Sequence, residues 1–241
     1  RSQKKNDWSN QNVEQLLPWE LLLKKIVWRQ LGELQNKKIL DFGSGFGVTA
    51  DHYAQHNQVI AIEPSEESVM KRSKQHSYQH IIGSLDALKT LEDDAFDIVF
   101  CHNVLEYVAE REAVIRELYR VLKPCGMLSV IKHNRMGRVM LETVLHNQFE
   151  NANALLDGKE IITSKYGTIH YYEDDDIAKW SDNGLTVAKV YGIRTFWDLQ
   201  QNQSIENDRD WQEQMMQLEM RVSQMEVFRA VAFFHHLILI K

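Results

Sequence analysis

Between residues 38 and 131, short apolar runs alternate with segments of helical character. That alternation constrains the fold more than any other feature of the chain. The runs are Lys38–Asp41, Gln58–Ile62, Gln79–Ile82, Phe96–Phe100 and Met127–Ile131, each four or five residues long. Runs this short and this apolar read as strands covered on both faces, as in a parallel sheet flanked by helices. Helical spacing covers Leu16–Leu34, within an N-terminal segment of residues 14–35, then Val48–His56, Ser65–His76 and Arg111–Leu122. Ser65, followed by Glu66 and Glu67, is a helix start, because a hydroxyl accepts from the first free amides and acids favour the first turn. Lys123-Pro-Cys-Gly126 stops the helix before the fifth run. After this first half, residues 37–132, the rhythm breaks. Asn134–Lys165 is polar with weak helical signals and reads as an insertion over the sheet, within a distinct region of about residues 134–180. A helix at Ile177–Ser181, a strand at Thr186–Tyr191, a helix at Arg209–Arg221 and a long strand at Ala230–Ile240 complete one expected domain over residues 1–241.

The first run leads into Gly43-Ser-Gly-Phe-Gly47. Open parallel sheets bind ligands beyond the carboxyl ends of their strands, so this loop is where a ligand meets backbone. Gly43 and Gly45 lack the side chains that would keep a ligand away, and Gly47 allows the next helix to pack close to the strand. Asp41 is placed to accept from loop amides. A dinucleotide fingerprint would need its third glycine at position 48, where the chain has Val48. The spacing therefore favours a nucleoside ligand without a pyrophosphate. Glu63 closes the second run 20 residues after Gly43, where an acid can accept both hydroxyls of a ribose. Leu85 and Asp86 follow the third run, and Asp86 can accept from an adenine amino group. His102 and Asn103 follow the fourth, beside the same crevice.

With these residues together, the sequence resembles the class I S-adenosylmethionine-dependent methyltransferases. The resemblance lies in Ile39-Leu-Asp-Phe-Gly-Ser-Gly-Phe-Gly47, Val59-Ile-Ala-Ile-Glu63, Phe96-Asp-Ile-Val-Phe100 and Val121-Leu-Lys-Pro-Cys-Gly126. It implies an α/β, Rossmann-like fold with a seven-stranded, mostly parallel sheet and an antiparallel last strand, which Ala230–Ile240 suits. It implies S-adenosyl-L-methionine as cofactor, bound by Asp41, Gly43, Ser44, Gly45, Glu63, Leu85, Asp86 and His102, with Glu63 on the ribose and the glycine loop beside the methionine part. Outside this half, His102-Asn-Val-Leu-Glu-Tyr-Val108, Asn134-Arg-Met-Gly137, Gly192-Ile-Arg-Thr-Phe-Trp-Asp198 and Leu218-Glu-Met-Arg221 are similar to the tRNA 5-carboxymethoxyuridine methyltransferases. That family methylates a carboxylate on a modified wobble uridine. The resemblance assigns substrate contacts to Arg194 and Trp197. The chain has Leu23 where the family has an arginine for the cofactor carboxylate, and neighbouring Lys24 is the expected replacement; Trp197 stands where the family has a histidine.

Composition narrows the remaining options. The formal net charge of −6 weighs against broad, nonspecific nucleic-acid binding and leaves a local basic patch from Lys24, Arg135, Arg138 and Arg194 as the tRNA-binding expectation. Lys4-Lys5 and Lys37-Lys38 are further early basic pairs. Tyr166, His170 and Tyr172 lie in a polar stretch suited to a lid, and His133 follows the fifth strand at the crevice rim. Cys101 and Cys125 form no disulfide pattern, no apolar run approaches a membrane helix, and a cytoplasmic protein is expected. Metal chemistry is not expected. His235-His236 face opposite sides of a strand, and His52 and His56 share a helix face without a third ligand. The acceptor is then a tRNA or a small molecule, with a cofactor-binding regulator without turnover as the alternative from another class.

Overall fold

The computed structural model describes residues 16–163 and 167–241, so Lys4-Lys5 and Tyr166 lie outside the described residues. Seven strands form one sheet: β1 (Lys38–Phe42), β2 (Gln58–Glu63), β3 (Gln79–Ile82), β4 (Phe96–His102), β5 (Leu122–His133), β6 (Thr186–Ile193) and β7 (Phe234–Ile240). Their order is β3-β2-β1-β4-β5-β7-β6. The first five run parallel, and β7 lies antiparallel to both β5 and β6. The seven strands, mostly parallel with an antiparallel last one, are what the resemblance implies. β1 is the topological switch point, with β2 on one side and β4 on the other, so the loops after β1 and β4 border one crevice.

Helix α1 (Pro18–Leu31) begins with proline at its first turn, where no amide is needed, and stops at Gly32, whose φ of +71° ends the helix earlier than the apolar spacing suggests. Its Leu22, Leu23, Ile26 and Val27 pack with Ile131, Ile193, Phe233 and Phe234, while Trp28 packs with Ile39, Tyr53 and Phe100. Leu23 is therefore a core residue. Helices α2 (Val48–Ala54), α3 (Glu66–Met70), α4 (Leu85–Leu88) and α5 (Arg111–Val121) follow β1 to β4. Ser65 caps α3 as expected, accepting from the Ser68 amide at 3.2 Å, but α3 ends at Met70 rather than His76. Distant partners take the chain out of the helix. The Ser73 amide donates to the Phe46 carbonyl at 2.8 Å, its hydroxyl donates to Asp51 at 2.6 Å, and Tyr78 donates to the Ser73 carbonyl at 2.6 Å.

Three further expectations change. β5 starts at Leu122, and Lys123-Pro-Cys-Gly126 forms an irregular entry to it, with Cys125 at φ +61°. The polar insertion contains two well-formed helices, α6 (Arg135–Val144) and α7 (Phe149–Leu156). α8 (Asp176–Trp180) and α9 (Arg209–Val222) lie close to their expected spans. The last strand begins at Phe234 rather than Ala230, because α10 (Glu226–Arg229) and the turn after it use the preceding residues. No helix among the described residues is long and apolar enough to cross a membrane.

Candidate active site at the carboxyl ends of the strands

The glycine loop folds back over β2: the Gly43 and Ser44 amides donate to the Ile62 carbonyl at 2.9 and 3.1 Å. Glu63 fixes the tip, one carboxylate oxygen accepting from the Gly45 amide at 2.8 Å and the other from the Ser65 amide at 3.0 Å. At Gly45, φ is +55° and a Cβ would point into open space, so the backbone there is accessible to a ligand. Gly43 has a different role. Its φ is +74°, and a Cβ would come within 2.3 Å of a Val104 methyl, so the missing side chain lets the β1 and β4 loops touch. The atom nearest a Cβ at Gly47 is the Tyr78 hydroxyl rather than the strand.

Asp41 is 3% exposed, and burial raises its carboxyl to about 6, against the opposing pull of the Lys24 charge. It accepts from the Ala50 amide in α2 rather than from loop amides, and one of its oxygens has no partner among the described residues. Lys24 reaches across from α1 and donates to the Thr49 hydroxyl at 2.8 Å; burial pulls its ammonium below the usual range. The Ser44 hydroxyl is also buried without a partner among the described residues. A cation of Lys24, an acid at Asp41, a free hydroxyl and open backbone at Gly45 match a zwitterionic amino-acid group beside a nucleoside, so these residues fit S-adenosylmethionine. Asp86 lies in the first turn of α4, exposed, and its carboxylate accepts from the Ser84 amide at 2.9 Å; that bond and one from Ala87 hold it below its ordinary value. Leu85 beside it packs on the main core.

His102 is placed differently from the sequence expectation. Its Nε2 is hydrogen-bonded to Ser129 at 2.8 Å; Ser129 is bonded to His236 at 2.8 Å, and His236 to Gln30 of α1 at 2.7 Å. Burial holds His102 well below the usual histidine range and His236 at about 3. The neutral rings form a polar strut from sheet to helix, and His102 is not a base. Among the described residues, no group of three or more His, Cys, Asp or Glu is placed to hold a metal ion.

On the acceptor side, two sequence-derived assignments change. Trp197 is 2% exposed and packs against Trp211 with ring centroids 4.8 Å apart, so it is a core residue and presents no face to a base. Arg194 is 6% exposed and forms a two-pronged ion pair with Asp198, its Nε donating at 2.8 Å and its Nη2 to the other oxygen. Its guanidinium also lies 4.6, 5.0 and 5.2 Å from the rings of Trp19, Phe233 and Phe234. Both residues are held from a distance by Glu219 of α9, which accepts from the Thr195, Phe196 and Trp197 amides at 2.8, 2.8 and 3.1 Å.

Glu106, which no sequence motif marks as a site residue, is fully buried on the turn after β4. One oxygen accepts from the His133 amide at 2.8 Å and the other has no partner among the described residues. Burial raises its carboxyl from 4.5 to about 7. The folded protein then holds this proton more tightly than the unfolded chain, so stability falls as pH rises through that window. Replacing Glu106 with Gln removes the titration. The stability of E106Q relative to wild type should grow by about 3 kcal/mol between about pH 4 and about pH 8, the linkage value of a shift this size. Urea unfolding of both proteins across that range checks it, and a constant difference would show that Glu106 titrates normally.

Residues 40–130 match the sequence pattern of a methyltransferase domain. The structure shares its fold with an S-adenosylmethionine dependent methyltransferase from Mesorhizobium loti, at a TM-score of 0.56 and 14% identity, covering 95% of this chain and 100% of that one. The chain is an S-adenosylmethionine-dependent methyltransferase with the class I sheet order described above. Over most of its length it is similar to the tRNA 5-carboxymethoxyuridine methyltransferase of Escherichia coli O157:H7, 25% identical over 231 residues, 89% of this chain and 86% of that protein. It is also similar to a ubiquinone biosynthesis O-methyltransferase of Coxiella burnetii (strain Dugway 5J108-111), 26% identical over 166 residues, 66% of this chain and 68% of that protein.

Proposed function

We propose that the enzyme methylates a carboxylate on a modified wobble uridine of tRNA. The observation that carries this reading is the extent of the similarity to the tRNA methyltransferase. At 89% of the chain it runs well beyond the matched residues 40–130 and takes in acceptor-side segments. In this reading Asp41, Lys24 and Ser44 hold the amino-acid end of the cofactor, Glu63 the ribose and Asp86 the adenine, with Gly43 and Gly45 giving access to backbone. Bound S-adenosylmethionine would supply a methyl group on a positively charged sulfur, activated for transfer to the acceptor oxygen with the electron pair of the broken carbon–sulfur bond left on sulfur. A carboxylate is already ionised at neutral pH, so no proton has to move, and positioning carries the catalysis. This agrees with His102 and His133, which burial holds neutral and far below the range of a working base.

One observation favours a second reading, a small organic acid as acceptor. Arg138 and Arg194 are each paired with an acid, Glu142 and Asp198, and Arg135 donates to the Lys159 carbonyl at 3.1 Å. The expected cationic patch is largely neutralised, which suits a small anion more than a polyanion. Methyl transfer from labelled S-adenosylmethionine into bulk tRNA and into small metabolites, both from cells lacking this protein, separates the two. Label in tRNA at a single nucleoside is expected; label in the small-metabolite pool alone would overturn the tRNA reading.

A further inference from the structure

Resting on the reading of the acceptor as a carboxylic acid, we propose that Arg138, His133 and Tyr171, rather than Arg194, form the pocket that holds the acid group. Arg194 has no fork to offer, because Asp198 takes both prongs and aromatic rings enclose the rest. Arg138 is the better placed cation. It rises from α6, where Glu142 one turn later meets its Nε at 2.7 Å and leaves the outer nitrogens of the guanidinium for another anion. Its charge acts on both His133 and Tyr171, and its guanidinium shares the Phe233 ring with His133, at 5.9 and 5.5 Å.

Two further donors lie within reach of the Arg138 charge. His133 is 9% exposed at the end of β5; its Nε2 lies 3.3 Å from the Tyr107 hydroxyl, and its Nδ1 has no partner among the described residues. Burial, aided by the Arg138 and Arg194 charges, holds the ring at about 3, hence neutral. If Tyr107 donates to Nε2, the ring proton sits on Nδ1, which becomes a free donor. The Tyr171 hydroxyl is likewise buried without a partner among the described residues, and burial pushes it up to about 12, so it keeps its proton. The guanidinium of Arg135 lies 4.8 Å from the Tyr171 ring and steadies it.

The surrounding charges permit this. Arg135 and Arg138 act on Tyr171 against the carboxylates of Glu142 and Glu106, while Arg194 belongs with Asp198 and Glu206. Glu106, also close to Tyr171, is held up at about 7 and opposes an anion only in part. A carboxylate with its two oxygens fits a guanidinium and two hydrogen-bond donors, and Glu106 held partly protonated lowers the repulsion it would meet.

The test uses the full chain, with R138Q, R138K and Y171F as variants. Two readouts are taken: the KM for tRNA from cells lacking this protein, and the binding of phenoxyacetate, a small aryl ether acid, to protein saturated with S-adenosylhomocysteine. R138Q should raise KM by about tenfold or more, the scale of a lost charge-assisted bond, with cofactor affinity unchanged. R138K should recover part of the loss, and Y171F should cost several-fold. Y171F removes only a hydroxyl, so it keeps the test alive if R138Q, which takes the guanidinium away from the buried Glu142, does not fold. If tRNA is methylated and neither R138Q nor Y171F moves KM, the pocket is overturned while the tRNA reading stands. If tRNA is not methylated but phenoxyacetate binds and R138Q weakens it at least tenfold, the pocket stands and the tRNA reading falls. Phenoxyacetate binding that is absent or indifferent to Arg138, with tRNA unmethylated, overturns both.

Discussion

Glu63→Ala should bind S-adenosylmethionine at least about tenfold more weakly than wild type, one of the two largest effects expected of a single substitution here. Both carboxylate oxygens are in use: one fixes the Gly45 amide at 2.8 Å, the other the Ser65 amide at 3.0 Å. The substitution therefore acts twice. It frees the tip of a loop whose Gly45, at a φ of +55°, has many other conformations to visit once untethered, and it removes the acceptor proposed for the ribose hydroxyls. A hydrogen bond to a charged group contributes about 1.5–3 kcal/mol, and one such bond is a factor of about ten or more in affinity. Glu63→Gln separates the two effects, since an amide oxygen still accepts from one backbone amide but carries no charge; an intermediate loss is expected. Calorimetric titration with S-adenosylmethionine measures both. An unchanged dissociation constant for the alanine variant would remove Glu63 from the site.

The cofactor side was legible in the sequence because its signals are local. A strand of apolar residues, a glycine loop and an acid at the end of the next strand each lie within a few residues, and strands β1 to β4 fall within two residues of where the apolar runs place them. The acceptor side was less legible because its geometry is set from afar. Glu219 fixes Thr195 to Trp197 from α9, and the one helix misjudged in the cofactor half has the same cause, Asp51 drawing Ser73 and the His76 amide out of the helix expected through residue 76. No window of adjacent residues carries that information. Trp197 has the sequence character of a stacking platform and of a core residue alike, and it is the packing of α1 and α9 around it that decides between them. Two signals were available. Arg194 and Asp198 are four residues apart, and so are Arg138 and Glu142, the spacing at which opposite charges meet on a helical turn. For Arg194, which sits outside any helix at a φ of +59°, the spacing permits the pairing and the fold decides it.

The acceptor side also depends on one glycine whose role is steric. Gly137 lies inside α6 with an ordinary helical backbone, so by helix propensity Gly137→Ala would gain about 1 kcal/mol. The packing reverses the sign. A Cβ at this position would stand 2.2 Å from the Ala232 carbonyl oxygen and 2.6 Å from the Phe233 Cα, both of them backbone atoms with no rotamer to yield. Asn134 at the start of α6 holds this same stretch, donating from its side chain to the Ala232 carbonyl at 2.8 Å and from its amide to the Phe233 carbonyl at 3.0 Å. The helix would have to move away as a body, at the cost of those bonds. Overpacking of this kind costs about 1–3 kcal/mol and sometimes more, so a net loss of about 2 kcal/mol is expected, a fall in Tm of roughly 4–8 °C for a chain of this length. Function should divide cleanly. Phe233 underlies Arg138, Arg194 and His133, so a displaced helix disturbs the acceptor side and raises KM for the acceptor. The glycine loop and Glu63 lie at β1 and β2, two and three strands across the sheet from β5, which leads into α6, so the affinity for S-adenosylmethionine should stay within about twofold. Scanning calorimetry and cofactor titration of the one variant test both halves. A Tm above that of wild type would mean that helix propensity outweighs the contact. A matching loss of cofactor affinity would mean that the two halves of the site are not independent.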